Sequence, residues 1–274
     1  RTLDDRDAAD AFPALAAGLQ GDKAHLELVK HTDLVLVLFR TLPQRTRDRV
    51  AHWVREMGLG MAKFVRTYPG GIRIQTLAEY KEYCYYVAGT VGFMLTELWH
   101  EHASVIGKRE YDRLLVKCQA FGEALQTVNI LKDIAWDAQH ENSIYIPAND
   151  LVAQGSSHAT LLSPEHIEHN HKAVVHFIEL ARKDLDDALE YTLMIPRRAF
   201  RIRAFCVLPL LFAYASFALA CVIGIIYVLQ FKELKAKHFG FLYSRLPALD
   251  VLDTMNQRAI FVGWVCLTVG LVVG

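Results

Sequence analysis

The chain has 274 residues, of which 53% are hydrophobic and 22% charged, and its 30 basic and 30 acidic side chains give a formal net charge of zero. This composition excludes a disordered chain, which would be poor in apolar residues. It also gives no support to an electrostatic nucleic-acid binder, which would carry a surplus of lysine and arginine. The apolar residues are concentrated near the C-terminus, because residues 204–230 and 259–274 contain no charged side chain. We therefore expect a mixed-charge domain followed by an apolar tail.

The cysteines and the first residues both indicate a reducing compartment. The number of cysteines is odd and no pair has Cys-x-x-Cys spacing, so buried thiols are expected rather than disulfides or a zinc site. The five are Cys84, Cys118, Cys206, Cys221 and Cys266. The first 30 residues are charged and lack an apolar core, so no secretory signal is predicted.

Apolar residues at steps of three and four predict helices along most of the chain. The first clear helix lies between Gln44 and Tyr68, with Pro43 and Pro69–Gly71 at its ends. Further helices are expected over 77–102, over 110–137 and from Ser163 to about Met194, with a loop over 142–164. No long stretch alternates with a period of two, so the sequence predicts an all-α bundle.

The segment 126–137 carries a polar stripe. On a helix, four of its polar side chains fall within an arc of roughly 80°. They are Gln126, Asn129, Asp133 and Asp137. Two carboxylates one turn apart suit Mg²⁺, which binds carboxylates together with substrate phosphate oxygens. We expect the stripe to face inward, with a solvated helix face as the alternative.

The segment 83–92 carries small residues on one face. Cys84, Ala88 and Gly92 are spaced by four, and Gly89 widens the face. Glycine lowers helix stability, so two of them indicate the close approach either of a ligand or of another helix. Tyr83 is either a hydroxyl donor or a packed aromatic ring.

A membrane span is predicted over 213–230, where 18 residues without a charge are just long enough to cross a bilayer core. A buried core helix is the alternative. Residues 259–274 would form a second, truncated span. Four basic residues lie on each side of 213–230, so the orientation stays open.

Both central segments resemble signatures of the squalene/phytoene synthase family. The matching stretches are YCYYVAGTVG at 83–92 and QTVNILKDIAWD at 126–137, supported by MGLGMAKF at 57–64, IYIP at 144–147 and residues 195–213. The resemblance covers about residues 11–213. It implies an isoprenoid synthase-type helical bundle over 1–213, with its active site in the bundle centre, followed by a membrane-helix segment over 214–274.

The resemblance also implies an activity and a set of site residues. Members of this family join two prenyl diphosphates, such as farnesyl or geranylgeranyl diphosphate, head to head with Mg²⁺. Asp133 and Asp137 would then bind the Mg²⁺–diphosphate, and Tyr83 would take part in proton transfer. The residues that would bind substrate are Gln126 and Asn129 beside the diphosphate, and Ala88, Val91 and Gly92 around the allylic chain. The residues do not determine the prenyl chain length or any dependence on NADPH.

Two features depart from the family pattern. The family has another Asp-rich motif on an earlier helix, and no Asp-x-x-x-Asp occurs upstream of Asp133. The acids at positions 4, 5, 7 and 10 have the wrong spacing and fit the acidic first turn of a helix better. After Asp137, Ala138–Ser143 stands where the family has a Gly/Arg-rich turn. An inactive fragment that binds diphosphate is therefore an alternative to an active transferase.

The tail from Phe217 resembles a membrane protein family of cytochrome c assembly. The resemblance depends on a span ending in Tyr-x-x-Gln, on Arg245-Leu-Pro and on Leu249-Asp-x-Leu-Asp253. That family handles haem, so haem is a further candidate ligand, although the tail contributes only Trp264 and His238 to such a site. We expect a cytoplasmic catalytic domain held at a membrane.

Overall fold

The computed structural model describes residues 11–15, 18–19, 21 and 23–235, with side chains described as far as Ala218. Helices make up the regular structure of this part of the chain, which contains one isolated β-bridge, between Arg73 and Ile144. The predicted all-α class is therefore confirmed. The acids at positions 4–10, the tail motifs and residues 259–274 lie outside the described residues.

The helices are numbered here in chain order. Those of the N-terminal half are α1 Phe12–Leu15, α2 Lys23–Lys30, α3 Thr32–Thr41, α4 Gln44–Thr67, α5 Leu77–Cys84 and α6 Thr90–His102. Those of the C-terminal half are α7 Lys108–Leu115, α8 Cys118–His140, α9 Ala148–Ala153, α10 Ile167–Met194 and α11 Phe200–Lys235. The helix predicted from Gln44 agrees with α4, and the one predicted from Ser163 begins as a 3₁₀ turn before α10.

The helix predicted over 77–102 is continuous but not uniform. Its first part, α5, begins at the N-cap Thr76, whose hydroxyl oxygen accepts the Glu79 amide at 3.1 Å. A π-helical segment, Tyr85–Gly89, then connects α5 to α6. Such π-helical turns inside α-helices are frequent at functional sites.

The prediction of one helix over 110–137 is wrong at one point, because the helix is interrupted at Val116 and Lys117, between α7 and α8. Lys117 lies at the N-cap of α8, and its ammonium group pairs with Asp187 at 2.7 Å and Glu190 at 2.8 Å on α10. These ion pairs attach the start of α8 to α10. Such a tertiary contact cannot be predicted from helical periodicity.

The predicted loop over 142–164 contains the short helix α9 and an extended segment before it. The Ile74 amide donates to the Ile144 carbonyl at 3.3 Å, and the Ile144 amide donates to the Ile72 carbonyl at 2.8 Å. The chain leaving α8 is therefore paired with the chain entering α5.

Helix α8 is the centre of the bundle and packs against α6, α10, α11 and the π-helical segment. One hydrophobic cluster, containing Tyr80, Ile130 and Phe177, packs on the C-terminal half of α8. A second, containing Phe121 and Leu185, packs on its N-terminal half. The two clusters together remove apolar surface from water along most of the helix that carries the polar stripe.

The cysteine prediction is confirmed for the three cysteines whose side chains are described. Cys84, Cys118 and Cys206 are free and buried. Burial raises the pKa of the Cys84 and Cys118 thiols to about 12. Such thiols stay protonated at neutral pH and are poor nucleophiles.

A network of charged groups connects α4 to α6. The Arg49 guanidinium pairs with Glu97 at 2.9 Å and with Glu101 at 2.6 Å, and the Thr46 hydroxyl donates to Glu101 at 2.9 Å. Although burial opposes ionisation, these donors lower the pKa of Glu101. The network aligns two helices that each contribute residues near the candidate site.

Among the described residues, the stretch Phe200–Ala218 in α11 is the one that is long and apolar enough to cross a membrane. In this stretch 17% of the residues are buried inside the bundle. It overlaps the predicted span of 213–230 at residues 213–218. The rest of that predicted span lies beyond the described side chains.

Candidate active site

The polar stripe lies on α8 as predicted, but it does not face fully inward. Gln126, Asp133 and Asp137 are half-buried, whereas Asn129 is exposed. The expectation of an inward-facing stripe is therefore wrong for Asn129. The two hydrophobic clusters pack on other faces of α8, and neither includes Asn129.

Asp133 and Asp137 occupy the last two turns of α8, which ends at His140. The C-terminal end of a helix is the negative end of its dipole, so two carboxylates there are unfavourable without a cation. Lys132 supplies part of the compensating positive charge, because its ammonium nitrogen lies 3.0 Å from an Asp133 carboxylate oxygen. The pair is thus placed where a bound cation would relieve both the dipole and the mutual repulsion.

Asp137 is the more strongly perturbed of the two carboxylates. Burial raises its pKa to about 6, and the nearby charges of Asp133 and Glu141 act in the same direction. Lys132 opposes the shift and does not cancel it. A divalent cation at this position would favour the ionised form.

The two carboxylates of Asp133 and Asp137 fit a Mg²⁺ site in which the substrate supplies further ligands. Among the described residues, no group of three or more histidine, cysteine or acidic side chains is placed to hold a metal ion. Mg²⁺, however, is usually bound through one or two carboxylates together with substrate phosphates and waters. Asp133 and Asp137 can supply the two carboxylates, with the remaining positions left to a diphosphate.

Tyr83 lies at the end of α5 and is almost fully buried, with 5% of its surface exposed. Its ring meets Phe64 edge-on at a centroid distance of 5.2 Å and lies 4.9 Å from the Tyr145 ring. Burial raises the pKa of Tyr83 far above its ordinary value, and Tyr145 and Asp137 contribute in the same direction. Tyr83 is therefore a neutral hydroxyl close enough to Asp137 to be affected by its charge.

Tyr145 is a site residue to which the sequence assigned no role. Burial and the charges of Glu141 and Asp137 raise its pKa above the ordinary value. Hydrogen bonding from Tyr83 and Ser143 acts in the opposite direction and does not cancel this increase. It connects the tyrosine of α5 to the carboxylate of α8. Tyr145 lies in an extended segment 62 positions after Tyr83, so no helical spacing could indicate the contact. Its membership of the motif at 144–147 was the one available signal.

The small-residue face is used for helix packing at two positions. A Cβ atom added to Gly92 would lie 2.0 Å from the Cys118 carbonyl oxygen, and one added to Gly122 would lie 2.1 Å from the Ala88 carbonyl oxygen. Of the two alternatives left open for this face, close approach of another helix explains Gly92. Ala88 and Val91 are half-buried, and their contact with a prenyl chain stays a prediction.

The predicted residues lie at different places along α8. The π-helical segment and α6 pack directly on α8, and Ala88 and Gly92 contact its first two turns at Gly122 and Cys118. Asp133 and Asp137 lie at the opposite end of the same helix, where burial and the charge of Asp137 raise the pKa of both Tyr83 and Tyr145. The small-residue face and the acid pair therefore belong to separate ends of one central helix.

The helical bundle and its acid pair define the class as an all-α isoprenoid synthase-type fold. The squalene/phytoene synthase family model matches residues 1–216, and the chain belongs to this family. A cytochrome c assembly protein model matches residues 187–274, so the two matches overlap over residues 187–216. Both resemblances noted in the sequence are confirmed.

Individual relatives agree with the family match. Squalene synthase 1 of Arabidopsis thaliana is 25% identical over 201 residues, which cover 73% of this chain and 47% of that protein. The Homo sapiens squalene synthase is 26% identical over 188 residues, or 67% and 41% of the two chains. The chain thus spans less than half of the length of these relatives.

Solved structures show the same fold. The complex of TcSQS with the ligand E5700 superposes with a TM-score of 0.63 at 22% identity, covering 77% of this chain and 62% of that one. Its complex with BPH1237 gives a TM-score of 0.63 at 18% identity, with 96% and 86% covered.

Proposed function

We propose that this chain is a prenyltransferase that condenses two prenyl diphosphates head to head. The substrates would be farnesyl or geranylgeranyl diphosphate, and the product of the squalene or phytoene type. The observation that carries the proposal is the packing of the buried Tyr83 on α5 against Tyr145 at 4.9 Å, with burial and the charge of Asp137 at the end of α8 raising the pKa of both tyrosines. Family membership supports the reaction class.

The residues have separate tasks in this reaction. Asp133 and Asp137 hold the substrate's diphosphate end through Mg²⁺, which when bound supplies positive charge to the leaving group. Gln126, half-buried on the same stripe, donates its amide hydrogens to phosphate oxygens. The exposed Asn129 can reach the same group.

Tyr83 and its neighbours control proton and water access. Because burial keeps the Tyr83 hydroxyl protonated, Tyr83 orients or donates a proton near the diphosphate and does not act as a free phenolate. Phe64 packs edge-on against it and helps exclude water, which would quench a carbocation. Ala88, Val91 and Gly92 shape the apolar wall beside the allylic chain.

The test is incubation of the protein with Mg²⁺ and labelled farnesyl or geranylgeranyl diphosphate, with and without NADPH, because a squalene-type hydrocarbon needs a hydride donor and a phytoene-type hydrocarbon does not. We expect diphosphate release and a hydrocarbon product, and Asp133→Asn to abolish both. Asp112→Asn, on exposed α7, is the matched control and should leave turnover unchanged. Absence of both diphosphate release and product contradicts the transferase. If labelled substrate nevertheless binds in the presence of Mg²⁺, the chain is an inactive diphosphate-binding fragment.

The second candidate function comes from the tail, whose match to the cytochrome c assembly model covers residues 187–274. In this alternative the bundle is a scaffold for a membrane component that handles haem. Haem absorbance in the purified full chain supports it, and protein that stays colourless after incubation with haem contradicts it. Either function is consistent with a cytoplasmic bundle held at a membrane.

A further inference from the structure

The helix α11 has two sides with different surroundings in its first five turns. One side is packed on the bundle, where Cys206, Leu210 and Ala213 are buried. The Tyr214 hydroxyl donates to the Leu185 carbonyl of α10 at 3.3 Å and fixes this side further. This stretch of α11 is therefore a component of the bundle.

The other side of the same stretch is apolar and uncovered by any described residue. Phe200 is 74% exposed, Phe205 43%, Leu211 58% and Phe212 37%. At 100° per residue these four side chains lie within an arc of about 140°, opposite the buried side. A helix that faces water carries polar residues on its outer side, so this arrangement indicates an apolar environment.

Positive charge is concentrated at the start of this face. Arg197, Arg198 and Arg201 are exposed, and Arg198 has one acidic neighbour, Glu110, at 3.6 Å. No acidic residue occurs from Pro196 to Phe231. The arginines also lie at the positive end of the helix dipole, which favours anions and not cations. The charge distribution is therefore complementary to an external anionic surface.

We propose that the outward face of α11, from Phe200 to Phe212, lies flat in the interface of an anionic lipid bilayer. The aromatic and leucine side chains enter the boundary of the acyl chains, and the three exposed arginines bind lipid phosphates. This is the arrangement of helices that lie in the membrane plane. Because the other side of α11 packs on the bundle, this stretch lies on the bilayer surface and does not cross it.

The full chain can test the proposal when an environment-sensitive label is placed on the face. In a Cys221→Ser/Cys266→Ser background, the remaining native cysteines are buried, so Phe205→Cys provides the accessible thiol. Leu59→Cys on α4, where Leu59 is 64% exposed, is the matched control. Both variants are reconstituted in vesicles of phosphatidylcholine and phosphatidylglycerol with brominated acyl chains, which quench a label within the bilayer.

We expect the label at position 205 to be quenched severalfold more than the label at position 59. Arg197→Gln/Arg201→Gln should reduce the quenching at 205 severalfold, because basic residues attract this face to an anionic surface. Arg182→Gln/Lys183→Gln on α10, an exposed basic pair, should leave it unchanged. Equal quenching at the two labelled positions overturns the proposal. The label at 205 could instead be shielded from water without being quenched, in protein of twice the mass of one chain. That result overturns the proposal, because a second copy of the chain then covers the face.

Discussion

Asp137 has an environment that is unfavourable for a carboxylate in the absence of a cation. It lies in the last turn of α8, it is half-buried, and Asp133 and Glu141 add negative charge nearby. Side chains that destabilise a fold in this way commonly belong to functional sites. At the residue scale, the energetic cost of the acid pair is itself an indication that the pair binds a cation.

We expect Asp137→Asn to stabilise the metal-free protein at neutral pH. The folded-state pKa of about 6 lies above the ordinary aspartate value of 3.8. The cost to stability of the buried charge is therefore absent below the lower pKa and complete above the higher one. After a discount for the solvent that reaches this carboxyl, the gain is about 1 kcal/mol. Urea unfolding with a chelator present, at neutral and at acidic pH, measures it.

The pH dependence separates this effect from a general change in packing. The gain should disappear in acid, where Asp137 is protonated in both the folded and the unfolded state. An equal gain at both pH values would contradict the electrostatic explanation. Asp112→Asn, on an exposed part of α7, should change stability by no more than about 0.5 kcal/mol at either pH.

The spacing of the acid pair is local information that the sequence contains, whereas the role expected of Tyr83 depends on the family resemblance. Positions i and i+4 on one helix share a face wherever the helix lies. Tyr145 could not be given a role in this way, because its contact with Tyr83 requires the chain after α8 to pair with the chain before α5. Whether Gln126 or Asn129 would be exposed also depended on the surrounding helices.

At the scale of elements, the contact of α8 with α6 and the π-helical segment depends on backbone proximity. Gly92 and Gly122 allow carbonyl groups of the opposite helix to approach where a Cβ atom would otherwise lie. The two glycines thus reduce helix propensity locally and permit close packing between the two helices that carry most of the candidate site.

We expect Gly122→Ala to destabilise the bundle by about 2 kcal/mol, because its Cβ would collide with the Ala88 carbonyl and neither helix backbone can move freely. Gly58→Ala on α4 is the matched control, since no heavy atom lies within 4 Å of its added Cβ. That control should stabilise the protein by about 0.5 kcal/mol or more through helix propensity. Urea unfolding of both variants is the measurement, and a Gly122→Ala variant as stable as the parent would contradict the packing explanation.

Helix positions were predictable from periodicity, whereas their interruptions were not. The π-helical segment keeps the apolar pattern of 77–102 intact, so the sequence shows a single helix there. The break at Lys117 is accompanied by ion pairs with Asp187 and Glu190, 70 or more residues later. Both features arise from tertiary packing, which overrides local propensity.

At the scale of the whole molecule, the boundary between the bundle and the tail lies within α11. The sequence placed it after residue 213, but the Tyr214 hydroxyl still bonds to α10 and the family match extends to residue 216. The composition that first indicated two parts therefore does not mark a break in secondary structure, because a single helix continues from the bundle to Lys235.

We expect a chain that ends at Ala218 to keep its bundle, whereas a chain that ends at Ala199 should not. The shorter chain loses the buried side chains of Cys206, Leu210 and Ala213, and removal of such core contacts typically costs several kcal/mol in total. Thermal unfolding followed by circular dichroism compares the two. Similar transitions for both chains would show that α11 is not needed by the bundle.

The pairing of the chain after α8 with the chain before α5 also limits how this region can vary in length. Asn142 adopts a positive φ of 48°, its side chain donates to the Gly70 carbonyl, and its own carbonyl occupies the space beside Gly71. Both ends of the six-residue stretch between Asp137 and the bridged Ile144 are therefore held. Among homologues that keep this pairing, substitutions should accumulate between positions 138 and 142, while insertions and deletions should be rare.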